Sequence, residues 1–376
     1  MIDSAQDARD LVQELAAAPR FAGSDAEERA RALCEGKLRA LGFQVNRETF
    51  TYSQFPARFG PFICGLIFGV GVLAAGYIAG ARDAPLAGIA VTLVALITSA
   101  TAGSMLLERT GTLSWMRSES TNLVAVRAGA SDAPAVWLMA HIDSKSQTIG
   151  MLTRIGAVTL SGSLLSLFLV SSLVQLSGLA ELMGFPAELL RLQTAFLSVA
   201  AALAILPVIA CFITNESAGA LDNASGVAAV LLASERLDTG RNIGVLLTSA
   251  EEIGLAGARA FVASRSQKGI AINCDTIDNS GRFICMSNDK HRGDAVAMAK
   301  AGVRIGHKVK VRGFIRGVLT DSIPFTRRGW RSCTLSRGNL GTLARVHTSR
   351  DEPGRIDGAG VALAARILAA TVEELT

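Results

Sequence analysis

The chain has 376 residues, half of them hydrophobic, and a formal net charge of +5 at pH 7. This hydrophobic share is high for a soluble protein. The six cysteines are scattered and form no Cys-x-x-Cys pair, which excludes a disulfide framework and a cysteine-type zinc site. The basic balance does not indicate nucleic-acid binding, because aromatic residues do not alternate with the basic ones and no recognisable binding module occurs.

The first residues predict the opening of an α/β domain. The stretch MIDSAQDARDLVQEL is polar and helical, so no cleavable signal peptide is expected. Ser24 to Glu27, in SDAE, form a capping box that starts a helix running to about Leu41. The stretch FQVNRETFTY then alternates apolar and polar residues, as a half-buried strand does.

Four stretches without a charged residue hold most of the apolar excess. Each is long enough to cross a hydrocarbon core, which takes about 20 apolar residues. Their glycine, alanine and serine residues suit close packing of helices in lipid. The alternative, two pairs of buried helices in a soluble core, is disfavoured because four such uncharged runs are hard to place there. The stretches are residues 59–81, 84–107, 155–180 and 192–215.

Short turns join these stretches in pairs, around Arg82 and Asp83 and through residues 181–191. The sequence therefore predicts an integral membrane protein whose four spans form two hairpins, 58–108 and 155–215, inserted into one domain. The segments of that domain are 1–57, 109–154 and 216–376. Basic residues are more frequent on the domain side of the spans, so the positive-inside rule predicts a cytoplasmic domain. They are Arg58, Arg109, Arg117, Lys145 and Arg154, against Arg82 and Arg191 at the tips.

Strand patterns alternate with helix patterns through the rest of the chain. Strands are predicted in TNLVAV, AVWLMA, IGVLLTS, GIAINCD, RFICMSN and RSCTLS, with helices between and after them. This alternation predicts an α/β fold with a mostly parallel, twisted sheet covered on both faces. In such folds the functional site lies at the carboxyl ends of the strands.

Polar residues with metal-ligand chemistry stand at these strand ends. Glu251 and Glu252 lie side by side in TSAEEIGLAG, where they could simply be acids at a helix N-terminus. Each of the other residues, taken alone, is typical of a capping or surface position. Together, two histidines and several carboxylates suit a metal such as zinc. These others are His141, Asp222, Asp275 and His347, with Asp143 placed to orient the His141 imidazole.

With these residues in this order, the sequence resembles the aminopeptidases with two co-catalytic zinc ions. That family also contains glutamate carboxypeptidases, glutaminyl cyclases and the noncatalytic ectodomain of the transferrin receptor. The resemblance implies a three-layer α/β/α domain, here with two inserted transmembrane hairpins. It rests on the ordered blocks NLVAV, HIDS, GALDNASGVAAVLL, EEIGLAGARAF, INCDTID, TDSIPF and VHTSRDEP.

The resemblance implies two zinc ions per chain and a role for each site residue. Asp222 would bridge the ions, and Glu251 would be the general base, with Asp143 beside it in the catalytic group. The Asp222–Asn223 peptide bond would be cis. The remaining ligands would be His141 and Asp275 for one ion, and Glu252 and His347 for the other. The chain departs from the family at Ser322, where many relatives carry histidine, and it has only Tyr52 and Tyr77 as tyrosines.

The stretch from Lys308 to Arg355 is strongly basic and surrounds TDSIPF, which shapes the substrate pocket in relatives. It is typical of a solvated surface or of one held against anionic lipid headgroups. It also fits recognition of substrate carboxylates by arginine. The substrate-binding residues predicted here are Asp321, Arg316 and Arg328.

The sequence thus predicts a membrane-embedded dizinc hydrolase, an aminopeptidase acting on a peptide or small amide beside membrane lipids, without nucleic acid. The alternatives are a carboxypeptidase, an amidohydrolase or cyclase of the same fold, and a noncatalytic scaffold. The filled ligand positions and Glu251 argue against the scaffold. A transporter or channel is disfavoured because the spans carry no ionisable residue.

Overall fold

The computed structural model describes residues 5–127, 134–288, 290, 292–315 and 317–376. The chain forms two compact units. The first, named the catalytic unit because it contains the residues to which the resemblance assigns catalytic roles, contains residues 1–54, 110–147 and 214–376. The second, the helical unit, contains residues 55–109 and 148–213.

The helices and strands follow each other along the chain in the alternation that the sequence predicts. The helices are α1 (Ala5–Leu15), α2 (Asp25–Ala40), α3 (Phe55–Gly76), α4 (Pro85–Glu108), α5 (Met151–Ser177), α6 (Leu179–Leu182), α7 (Ala187–Ala204), α8 (Leu206–Ile209), α9 (Ser225–Arg236), α10 (Ala256–Ala263), α11 (Arg292–Arg304), α12 (Ser322–Arg327), α13 (Leu340–Arg345) and α14 (Ala359–Leu375). The strands are β1 (Phe43–Ser53), β2 (Arg117–Arg127), β3 (Val136–His141), β4 (Ser146–Gln147), β5 (Ile213–Thr214), β6 (Ile243–Thr248), β7 (Ile270–Ile277), β8 (Arg282–Ser287), β9 (Val309–Gly313) and β10 (Arg331–Gly338).

Within the described residues, the catalytic unit is built on an eight-stranded sheet of order β1-β2-β6-β3-β7-β10-β8-β9. The four central strands β6, β3, β7 and β10 are parallel. Antiparallel pairs flank them, with β2 against β6 and β8 against β10. The predicted α/β class is confirmed, and the sheet is mixed, with its parallel strands at the centre. Their carboxyl ends therefore meet at one edge of the sheet.

The two faces of the sheet are covered by different helices. Trp137 of β3 packs against Phe261 of α10, and Phe325 of α12 packs against Trp330, each pair with ring centroids 5.1 Å apart. Since side chains alternate along a strand, Leu138 points away from these rings, toward α9. Helix α14 packs on α9, so this second face is also closed.

The helical unit consists of long apolar helices. Among the described residues, four helices are long and apolar enough to cross a membrane: Phe55–Ala81, Pro85–Gly111, Met151–Ser177 and Ala187–Ile209. Helices α5 and α7 are joined by a hydrogen bond between the hydroxyls of Ser171 and Thr194, 2.6 Å apart. Close to the turns between paired helices, Nη1 of Arg191, near the start of α7, lies 3.5 Å from Asp83 Oδ2. Both turns therefore lie at the same end of this unit.

Candidate metal centre

The polar residues predicted at the strand ends come together in the catalytic unit. His141 ends β3, Asp275 lies near the end of β7, and Glu251 and Glu252 follow β6. Because these strands are neighbours and parallel, their ends lie at one sheet edge. Two loops complete the site, with Asp222 before α9 and His347 after α13.

Two buried groups of three ligand-type side chains result. The first contains His141, Glu251 and Asp275, and the second contains Asp222, Glu252 and His347. In each group the nearest nitrogen and oxygen atoms lie within 4.8 Å of one another. Nitrogen and carboxylate ligands at this spacing suit zinc.

Asp222 connects the two groups. Its Oδ1 lies 3.1 Å from Nε2 of His141, and its Oδ2 lies 3.1 Å from Nε2 of His347. The peptide bond between Asp222 and Asn223 is cis, as the resemblance implied. Asn223 fixes this loop to β7, because its Nδ2 donates to the carbonyl oxygen of Cys274 at 2.9 Å.

Both histidines hold Nδ1 away from the site and direct Nε2 into it. The Nδ1–H of His141 donates to the carbonyl oxygen of Asp143 at 3.0 Å. The Nδ1–H of His347 donates to Oε1 of Gln147 at 3.0 Å. In each ring Nε2 is then the nitrogen with a free lone pair, which is the form that binds a metal ion.

Two buried atoms of the predicted metal ligands lack hydrogen-bond partners among the described residues. They are Nε2 of His141 and Oε1 of Glu252. Buried polar atoms are nearly always hydrogen-bonded in proteins, so an orphaned pair requires an explanation. A metal ion in each group would satisfy them, and the chemistry of the side chains present fits zinc.

The family model described as Peptidase family M28 matches residues 205–372. Residues 205–372 belong to peptidase family M28. This match confirms the predicted family and, with it, the prediction of a zinc-dependent hydrolase. The M28 segment contains every predicted ligand except His141.

Solved structures are similar in fold to this chain. An aminopeptidase from Aneurinibacillus sp. strain AM-1 matches with 15% identity and a TM-score of 0.57, over 98% of this chain and 93% of that one. A zinc aminopeptidase from Bacillus subtilis matches with 14% identity and a TM-score of 0.56, over 99% and 95%. The Porphyromonas gingivalis glutaminyl cyclase matches with 14% identity and a TM-score of 0.57, over 100% and 99%. No curated protein sequence matches the chain closely enough to count as a relative.

The pKa values of the neighbouring acids Glu251 and Glu252 are shifted in opposite directions. Burial raises the pKa of Glu251 well above its usual value, and the carboxylates of Glu252 and Asp275 raise it further, although His141 opposes them. Burial acts on Glu252 in the same direction, but His347 and Lys145 outweigh it and lower the pKa. Glu251 is therefore the acid of the pair that holds a proton more readily.

Three residues in this region have left-handed backbone conformations that non-glycine residues rarely adopt. They are Ala250, Thr276 and His347, with φ of 54°, 60° and 62°. Each is a site residue or directly precedes or follows one. Such conformations persist only where the surrounding structure imposes them, and they cluster at functional sites.

Asp143 acts on the glutamates more directly than on the histidine it was expected to orient. Its carboxylate accepts from the backbone N–H of Glu251 at 3.1 Å and from that of Glu252 at 3.2 Å. Its Oδ1 lies 3.6 Å from Nδ1 of His141, whose hydrogen bond goes to the Asp143 backbone instead. The sequence alone could not show this, because the partners are more than 100 residues apart.

Asp351 makes the same kind of contact on the other loop, and the sequence analysis missed it. Its carboxylate accepts from the backbone N–H of Leu221 at 2.6 Å and from that of Asp222 at 3.1 Å. Burial raises the pKa of Asp351 to about 7. The signal available was its position in VHTSRDEP, four residues after His347.

Arg20, also missed, joins the two loops from the N-terminal segment. Its buried guanidinium donates to the carbonyl oxygens of Ile142, Ala218 and Gly219 at 2.8, 2.5 and 3.0 Å. Ile142 follows His141, and Gly219 lies three residues before Asp222. One side chain thus fixes the backbone on both sides of the site.

Lys145 and Gln147 are further residues that the sequence analysis did not assign to the site. Lys145 Nζ lies 2.7 Å from Oε2 of Glu252, and Gln147 contacts His347. Both follow directly on the HIDS block, in HIDSKSQ. That adjacency to a predicted ligand was the signal that could have found them.

The predicted substrate-binding residues differ in their placement. Asp321 is fully buried, its Oδ2 accepts from the hydroxyl of Thr248, and its Oδ1 has no hydrogen-bond partner among the described residues. Burial raises its pKa to about 7. Arg328 is exposed and precedes β10, at the sheet edge opposite Asp275. Arg316 lies outside the described residues.

Several other basic residues of this stretch are paired away from the site. Arg331 forms an ion pair with Asp294, and Arg345 forms one with Asp278. Arg337 stacks on the ring of Phe283, 4.9 Å from its centroid. These contacts support a structural use of much of the basic stretch.

Proposed function

We propose that the chain is a membrane-embedded metallopeptidase with two zinc ions, and that it acts as an aminopeptidase. The observation that carries this proposal is the placement of Asp222, whose two carboxylate oxygens face two different histidines at 3.1 Å. A carboxylate so placed can serve two metal ions at once. It would be hard to explain in a scaffold without metal, since the surrounding carboxylates and histidines are buried.

In this proposal the ligands divide as the resemblance implied. Asp222 would hold both ions. Nε2 of His347 lies 3.1 Å from Oε1 of Glu252, which supports the assignment of these two residues to the same ion. His141 Nε2 lies 3.9 Å from Oδ1 of Asp275, which supports the other pair.

Two zinc ions would polarise the scissile carbonyl and make a water molecule more acidic. Glu251 is proposed to take the proton from that water and to pass it to the leaving amine. A base of this kind works best when its pKa lies near the working pH, and the raised pKa of Glu251 fits the role. The Asp143 carboxylate holds the Glu251 backbone in place.

Asp321 is proposed to bind the amino terminus of the substrate. Its buried Oδ1 has no hydrogen-bond partner among the described residues, so it is available to accept from an ammonium group. Cyclisation of an N-terminal residue is the second candidate function. It is supported by the match to a glutaminyl cyclase structure, whose TM-score of 0.57 equals that of the aminopeptidase from Aneurinibacillus sp. strain AM-1.

The test is metal analysis together with a panel of substrates. The purified protein should contain about two zinc ions per chain, and a chelator should abolish activity. Short peptides with free amino termini should be cleaved, and the same peptides with blocked amino termini should not. Release of a cyclised product from an N-terminal glutamine substrate would instead support the cyclase.

Membrane insertion is the second part of the proposal. It is supported by the four long apolar helices and by the Arg191–Asp83 contact, which places both connecting turns at one end of the helical unit. Buried hydroxyl pairs such as Ser171 and Thr194 are typical of helix contacts in lipid. The distribution of basic residues favours a cytoplasmic catalytic unit.

A further inference from the structure

Lys145 is the one lysine, among the described residues, that forms an ion pair with a proposed metal ligand. Its Nζ lies 2.7 Å from Oε2 of Glu252 and donates to the backbone carbonyl oxygen of the same residue at 3.2 Å. The Lys145 side chain is 14% exposed and that of Glu252 is 4% exposed. Two contacts to one buried residue hold this ammonium group in a defined position.

The contact divides the two oxygens of Glu252 between different partners. Oε2 faces Lys145, whereas Oε1 lies 3.1 Å from Nε2 of His347 and makes no hydrogen bond among the described residues. A carboxylate can bind a metal ion through one oxygen or through both. Here the ammonium group competes for Oε2, whereas Oε1 is open to a metal ion without such competition.

We propose that Lys145 holds Glu252 as a one-oxygen ligand, which weakens binding of the zinc ion on the His347 side and keeps a coordination position free for the reaction. This inference rests on the proposed function, because it concerns one of the two proposed ions. Catalytic zinc sites need such a free position, whereas purely structural sites are closed. An ammonium group this close to the ligand also repels the incoming cation.

The proposal predicts the direction in which removal of Lys145 changes zinc affinity and turnover. Without the ammonium group, Glu252 gains a second free oxygen and its negative charge loses a compensating partner, so the metal-free site becomes less favourable and the metal-bound site more so. Zinc should bind more tightly and turnover should fall. If Lys145 merely braced Glu252, its removal would loosen the ligand, and zinc should bind more weakly, as is usual when a residue supporting a ligand is lost.

The experiment uses the full chain in detergent, stripped of metal and titrated with Zn²⁺ alone in competition with a coloured chelator. In Lys145→Met the Kd of the weaker zinc ion should fall at least about tenfold, while kcat falls by about 10–100-fold. Lys145→Arg keeps the charge and should stay within about threefold of the wild-type Kd. Lys145→Gln, which can donate but carries no charge, should lie between the two. Lys268→Met removes an exposed lysine before β7 and should change neither quantity.

Each outcome decides the question. Weaker zinc binding in Lys145→Met and Lys145→Gln, or no change in zinc binding, overturns the role of Lys145 while leaving the two-zinc proposal intact. A wild-type protein that binds fewer than two zinc ions overturns the proposed function and this inference with it. If Lys145→Met does not fold, the Kd of Lys145→Gln relative to Lys145→Arg carries the test.

Discussion

Gln147 and His347 are bound to each other by two hydrogen bonds, although 200 positions separate them in the sequence. The Gln147 side chain accepts from the His347 ring at 3.0 Å, and its backbone N–H donates to the His347 carbonyl oxygen at 2.9 Å. Gln147 is the last residue of its segment of the catalytic unit. The side-chain contact determines which nitrogen of His347 faces Asp222.

Gln147→Ala should therefore weaken zinc binding at the His347 side of the site. Residues that orient a metal-binding histidine typically contribute about 10–100-fold to metal affinity or activity. Zinc titration of the stripped protein measures the effect. Gln44→Ala, at an exposed position of β1, is the control and should bind zinc like the wild type. Unchanged affinity in Gln147→Ala would remove Gln147 from the site.

Substitutions of the neighbouring Glu251 and Glu252 should affect zinc content and turnover differently. Glu251→Gln keeps the shape of the side chain and removes the proton acceptor, so zinc content and melting temperature should persist while kcat falls by about 10²–10⁴-fold. KM should change little, because the lost interaction belongs to the transition state. Glu252→Ala should lose zinc as well as activity. Near-normal turnover in Glu251→Gln would contradict its role as general base.

Asp351→Asn tests the carboxylate beneath the proposed bridging ligand. The amide can accept at only one of its two positions, so one of the backbone N–H groups of Leu221 and Asp222 should lose its partner. The expected cost is about 1–3 kcal/mol of stability, together with weaker zinc binding. Thermal unfolding with and without zinc measures both. Asp238→Asn, at an exposed position, should leave the unfolding midpoint unchanged.

The pH dependence of stability should differ between the metal-free and the zinc-loaded protein. In the metal-free protein, burial would lower the pKa of His141, but the surrounding carboxylates outweigh it and raise the pKa well above 6.5; that of His347 is also raised. A histidine with a raised folded pKa stabilises the fold fully below about pH 6.5, and this contribution disappears as pH rises through the folded pKa. Raised pKa values of buried acids such as Asp321 act in the same direction.

Unfolding temperatures of the stripped protein should accordingly fall from about pH 6 to about pH 9. The zinc-loaded protein should become more stable relative to the stripped protein over the same range, because zinc competes with protons for the histidines. Parallel pH curves for the two forms would show that the histidines do not bind the metal.

The two connecting turns of the helical unit should be reached from the same side of a membrane. Single cysteines introduced at Asp83 and at Glu188, in otherwise cysteine-free protein, should react with an impermeant thiol reagent from one side only. A cysteine at exposed Asp238 of the catalytic unit should react from the other side. Extraction should require detergent. Labelling of all three positions from one side would contradict the two-hairpin arrangement.

Much of the fold could be predicted because its signals are local. Uncharged runs of more than 20 residues, such as 59–81, predict long apolar helices from composition alone, and the structure contains them. The α/β class followed from strands alternating with helices. The antiparallel flanks of the sheet did not follow, since the pairing of β2 with β6 depends on contacts between distant segments.

In the candidate site, too, some residues could be predicted from local signals and others could not. His141, Asp222, Glu251, Glu252, Asp275 and His347 were identified from residue type, position at strand ends and resemblance, and the structure brings them together. The residues that hold them could not be assigned in this way. Arg20, Lys145, Gln147 and Asp351 act through partners distant in sequence, and a single sequence does not state which pairs meet.

The sequence by itself determined which side chains could bind a metal ion, because ligand chemistry belongs to the residue type. Only the tertiary structure decided how those side chains are oriented. Asp143 shows the difference: its place beside His141 suggested a contact with that ring, but its carboxylate holds the backbone of the two glutamates. The orientation of a carboxylate depends on which N–H groups the fold brings within hydrogen-bond distance, and folding alone determines that.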